Sequence, residues 1–112
     1  MKNRLKLITK YEPSVKAFVP GTFVQKKVND AYKKSNILNR STHPLAGITL
    51  GIKDIINIDG HLTECGSNLP SKLFSGPQAS CVTKLLNAGA VFVGKTVTTE
   101  FAISDPGLTH NP

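Results

Sequence analysis

Apolar and polar positions along the chain follow two different periods. After Pro20-Gly21, Val24, Val28, Ala31, Tyr32 and Ser35 recur at helical intervals, while Lys26, Lys27, Lys33 and Lys34 fall mostly elsewhere. This predicts an amphipathic helix over about 22–38, with Thr22 as N-cap and Gln25 at capping-box spacing. In GITLGIKDIINIDG the period drops to two: Ile48, Leu50 and Ile52 point one way, and Thr49, Gly51 and Lys53 the other, as in a strand. Gly60, Gly66, Pro70 and Gly76 then mark a loop over residues 59–76, with room for one short helical turn near residues 69–73. Pro77 suits a helix start. Ala79, Val82, Leu85 and Leu86 continue that helix to about residue 88, and Gly89 stops it. Ala90-Val91-Phe92-Val93 reads as a buried strand, and Thr98 or Thr99 can cap a brief helix through Phe101 and Ala102.

These elements fit one domain, because 112 residues can enclose a single core but not two. No apolar run reaches the ~18 residues of a membrane span. The basic N-terminus is interrupted by Lys6 and Lys10, so it lacks the apolar stretch of a leader, and a cytoplasmic location is the expectation. The net charge of +7 is uneven: residues 1–40 hold ten Lys/Arg against Glu12 and Asp30, and the remainder holds four lysines against five carboxylates. Such a basic third could bind RNA, an anionic membrane or an acidic partner, or simply form a solvated helix face. The scarcity of interleaved aromatics makes nucleic acid the less expected partner. Cys65 and Cys81 form no CxxC, and His43, His61 and His110 are scattered. No metal or other cofactor is expected, and Cys81 reads as a small buried hydrophobe.

Residues 89–96, GAVFVGKT, match the GxxxxGK[ST] pattern of a phosphate-binding loop. The context is wrong. Such a loop follows a strand and precedes a helix, whereas here Gly89 follows a helix and AVFV is built of strand formers. No nucleotide site is expected.

The order of several blocks carries more information than this one pattern. PLAGITLGIKDIINIDG, then CGS, then ASCVTKLLNAGAVFVGKTVTTEFA resembles the N-terminal part of the amidase signature family. That family includes amidases, allophanate hydrolases and one of the subunits of glutamyl-tRNA amidotransferase. The likeness extends back to Ala17-Phe18 and forward to LTHNP, where His110 stands in place of the family's usual Arg. It implies an α/β fold, a mixed sheet flanked by helices, of which this chain is an N-terminal portion, incomplete on its own. Residues 1–40 would form a basic helical region, and residues 41–112 the lysine strand, a helix and a second strand.

The family cleaves or transfers the acyl group of carboxylic amides with a Ser–cis-Ser–Lys triad, and the lysine of its G[IV]KD block aligns with Lys53. A lysine in water is protonated at neutral pH, and burial that disfavours the ammonium is what lets such a group act as a base. Read from the residues alone, Lys53 is rather a strand lysine reaching solvent. The resemblance selects the base and predicts that its amine is buried. The serines and oxyanion donors would come from a GGSS-like segment, yet none of the eight serines here is adjacent to another and no two glycines are paired. Ser67 and Ser104 read as loop or capping serines, Asp54 and Glu100 as structural, and substrate contacts are unassigned. The expectation is a chain inactive alone, with hydrolysis of a small amide only where the Gly/Ser-rich half is restored, whether as the rest of a longer protein, of which this is a piece or an interrupted form, or as a complementary polypeptide. The alternative is a basic RNA- or lipid-binding module without catalysis.

Overall fold

The helical spacing around Val28 becomes helix α2, Gln25–Asn36, in a computed structural model that describes residues 2–104 and 106–111. Met1, Asp105 and Pro112, the last residue of the LTHNP block, lie outside the described residues. Val28 and Ser35 face inward, and the lysines of α2 are exposed. Thr22 does not cap α2. The cap position is Val24, without a side-chain bond, because the Thr22 hydroxyl is already engaged, donating to the Val19 carbonyl at 2.7 Å and accepting from the Lys95 amide at 3.1 Å.

Before α2 lies α1, Lys2–Val15, whose Leu5 is buried with Ile8 packed beside it. Lys16, at φ 52°, takes the left-handed conformation that ends a helix, and its amide closes onto the Glu12 carbonyl at 2.8 Å. The Glu12 carboxylate then accepts from the Ala17 and Phe18 amides at 3.2 and 2.8 Å, turning the chain toward the sheet.

Strand β1, Thr49–Lys53, pairs in parallel with β2, Val91–Thr96. A parallel pair needs a crossover, supplied by residues 54–90 with a short 3-10 turn at Ser71–Phe74 and helix α3, Ser80–Asn87. Alternation along β2 sends Val91 and Val93 into a cluster with Leu5 and Val28, and Phe92 toward a second cluster of Ile52, Ile58 and Val82. Helices α1 and α2 therefore cover one face and α3 the other. A register shift between Leu50 and Gly51 leaves Val93 unpaired and brings Lys53 opposite Thr96. On the far edge of β2, Phe18 forms an antiparallel bridge to Thr96.

Among the described residues the sheet has two strands, and β1 has no neighbour on its other edge. Among the described residues nine apolar side chains are buried, while thirteen large ones are exposed, including Ile37, Leu62, Ile103 and Leu108. A two-stranded sheet is marginal by itself. No described helix is long and apolar enough to cross a membrane.

Candidate active site

Lys53 ends β1, and strand alternation sets its direction. Ile52 is buried against α3, at 4% exposure, so Lys53 projects from the opposite face. There it borders an open cleft of 300 Å³ with Val97, Thr98, Thr99, Pro106, Gly107 and Thr109. The expected burial of this amine is not met within the described residues, because Lys53 is exposed and no described element crosses the mouth of the cleft.

The buried lysine is Lys95 of the GKT block, at 0% exposure. Its Nζ donates to the carbonyls of Ile56 at 3.0 Å and Leu62 at 3.1 Å and to Thr63 Oγ1 at 2.8 Å. Asp54 Oδ1 lies 2.8 Å away as well. An ammonium has three N–H groups, all taken by the first three acceptors, so the Oδ1 contact is ionic and Oδ1 has no hydrogen-bond donor of its own. Breaking such a pair by removing one partner costs about 3–5 kcal/mol, because a buried charge is left uncompensated. The same geometry answers the phosphate-loop question. Residues 91–96 are ladder backbone and the lysine points into the protein, so GKT here is a packing element.

Asp54 is held on several sides. Its amide donates to the Thr96 carbonyl at 2.9 Å, its carbonyl accepts from the Cys65 amide at 3.0 Å, and Oδ2 accepts from the Glu64 amide at 3.3 Å. A tight turn follows, with the Ile56 amide on the Lys53 carbonyl at 2.9 Å. The chain returns through Cys65 and Gly66, both left-handed at φ 56° and 65°. A Cβ at Gly66 would stand 2.7 Å from the Thr98 carbonyl oxygen, so the CGS turn packs directly on the wall of the cleft.

Ser67 and Ser104 hold the loop and capping roles expected of them. Ser67 Oγ accepts from the Leu69 amide at 3.0 Å, and Ser104 Oγ donates to the Glu100 carbonyl at 3.2 Å. Neither borders the Lys53 cleft. The Glu100 carboxylate contacts Ser104 Oγ at 3.4 Å and, among the described residues, makes no bond to backbone. Cys81 is exposed, contrary to its reading as a buried hydrophobe, because the inward position of α3 belongs to Val82. Burial, then the nearby Asp54 carboxylate, pushes the Cys65 thiol up, with Lys95 opposing. His61, edge-on to Phe92 at 4.9 Å between ring centres, is held below its ordinary range by burial and by the Lys27 and Lys95 cations. Among the described residues no group of three His, Cys, Asp or Glu side chains could hold a metal.

Lys95 is the site residue that sequence reading missed. A signal existed: Lys95 closely follows the apolar run 90–93, and an aspartate beside the partner strand needs a cation if both are buried.

The Amidase family model matches residues 2–109. Two curated relatives are glutamyl-tRNA(Gln) amidotransferase A subunits. The chain is 39% identical to the one from Synechococcus sp. (strain RCC307), over 96% of this chain and 24% of that protein. It is 36% identical to the one from Lachnospira eligens, over 94% of this chain and 23% of that protein. Among solved structures, the native peptide amidase of Stenotrophomonas maltophilia superposes with a TM-score of 0.66 at 28% identity, covering 89% of this chain and 21% of that one. The chain thus spans about a quarter of the length of the curated relatives it matches. With the family model covering nearly all of its length, the chain belongs to the Amidase family.

Proposed function

We propose that this chain contributes the general base, Lys53, to a site that cleaves the C–N bond of a small carboxylic amide. One observation carries the reading: the lysine of the GIKD block stands at the end of β1 on an open cleft whose described lining holds no charged group besides itself. The nucleophilic and relaying serines are assigned to a Gly/Ser-rich segment outside these 112 residues, since no two serines here are adjacent. In the assembled site the neutral Lys53 amine takes a proton from the relaying serine, which takes one from the nucleophilic serine as its oxygen attacks the amide carbon. The C–N bond then breaks, the proton returns through the relay to the departing nitrogen, and water hydrolyses the ester left on the enzyme. The covering segment also removes the amine from water, which a lysine base requires.

Proton transfer of this kind contributes about 100–10,000-fold, and only where a nucleophile is present to be activated. The chain alone is therefore inactive in this reading. The test is to assay ammonia release from simple carboxamides by the chain with and without a polypeptide carrying the Gly/Ser-rich segment. Hydrolysis only in the mixture supports the reading, and equal hydrolysis by the chain alone overturns it.

A further inference from the structure

Lys53 and Asp54 are consecutive and oppositely charged, yet they do not pair. Asp54 is turned inward onto Lys95, and the ion pairs among the described residues are Lys95–Asp54 and Lys33–Asp30. The hollow that Asp54 borders, 280 Å³ in volume, shares Val97, Thr98 and Gly107 with the cleft of Lys53. A carboxylate released from Lys95 is driven out of its buried site, since leaving it there unpaired is costly, and the hollow it borders shares a wall with the Lys53 cleft. We propose that Lys95 is a positioning residue for Lys53: it sequesters the Asp54 carboxylate, so that the neighbouring amine is not ion-paired to it.

Other titratable groups near the cleft among the described residues have partners or positions of their own. Glu64 lines the Asp54 hollow, the Glu100 carboxylate contacts Ser104, Glu12 is bonded to the Ala17 and Phe18 amides, and His110 is tied by its amide to the Val15 carbonyl at 2.9 Å. None is adjacent to Lys53 in the chain, as Asp54 is. Lys95 also fixes the turn that follows Lys53, through the Ile56, Leu62 and Thr63 oxygens.

The inference rests on the proposed role of Lys53 for its catalytic meaning, but its test reads the amine itself. Acetic anhydride at pH 8 acylates only neutral amines, and mass spectrometry gives the rate at Lys53 relative to the exposed Lys72 and Lys84 in the same chain. In Lys95→Met the freed carboxylate pairs with the Lys53 ammonium, so labelling at Lys53 slows about tenfold. In Lys95→Met/Asp54→Asn the rate returns to that of the wild type. Unchanged labelling in a folded Lys95→Met chain, or equal slowing in the double variant, overturns the inference, the latter because it marks a structural effect. Should Lys95→Met not fold, Asp54→Asn decides alone. With the Lys95 cation uncompensated, Lys53 labels at least about twofold faster, and an equal or slower rate overturns the inference. Failure of the catalytic reading is separate and shows as retained hydrolysis by an assembled Lys53→Ala enzyme.

Discussion

Gly94→Ala tests why the GKT block begins with glycine. A Cβ at residue 94 would stand 2.8 Å from Phe18 Cδ1, 3.3 Å from its Cε1 and 3.3 Å from the Phe23 amide nitrogen. The ring cannot easily retreat. It stacks on Phe23 with centres 5.4 Å apart, and its backbone is fixed by the Glu12 carboxylate and by the bridge to Thr96. Forcing one methyl into such a contact costs about 1–3 kcal/mol. Alanine recovers about 0.5–1 kcal/mol, because glycine within a strand loses more backbone entropy. With a clash as close as 2.8 Å to a fixed ring the cost lies in the upper half of its range, about 2–3 kcal/mol, so the net loss is about 1–2.5 kcal/mol, which at a urea dependence of about 1–2 kcal/mol per molar lowers the unfolding midpoint by about 1 M. Urea unfolding followed by circular dichroism measures it. Phe18→Leu in the Gly94→Ala background should recover at least half of the loss, because the smaller side chain vacates the clash. A Gly94→Ala chain as stable as the wild type, or losses that simply add in the double variant, would refute the packing argument.

Two further predictions concern titrating groups. His61 binds its proton less readily folded than unfolded, so the unfolded chain takes up more protons as pH falls through 6.5 and stability drops there. Stability measured at pH 7.5 and pH 5.5 should therefore fall more in the wild type than in His61→Phe; equal losses would show that His61 is not responsible. Cys65, pushed up by burial and Asp54, should react several-fold more slowly than exposed Cys81 with a disulfide reagent at pH 7.5, and the reverse order would contradict the described surroundings.

What the sequence disclosed follows from how local each signal is. The period-2 run ending at Lys53 and the apolar run at residues 90–93 depend on neighbours two residues apart, and both became strands, the second extending to Thr96. The helices near residues 22–38 and 77–88 appeared as Gln25–Asn36 and Ser80–Asn87, the first shortened because its expected cap, Thr22, is engaged elsewhere. Thr22 bonds across 73 residues to Lys95, a demand no local window contains. Lys95 escaped notice for the same reason. Its partners lie at residues 54–63, and a lysine in a strand reads by default as exposed until those carbonyls are placed around it. Helix α1 is a related case: only Leu5 is fully buried on it, and Pro13 lies within its last turn, which masks the periodicity. For Lys53 the direction of the side chain was legible from alternation, but its exposure depends on what covers the cleft.

The most direct test of the account is the rate of carboxamide hydrolysis by the chain assembled with the Gly/Ser-rich segment, compared between wild type and Lys53→Ala. Loss of the base should lower kcat by at least about 100-fold with KM little changed. Hydrolysis by Lys53→Ala within a few-fold of the wild type would contradict the assignment of this lysine as the base.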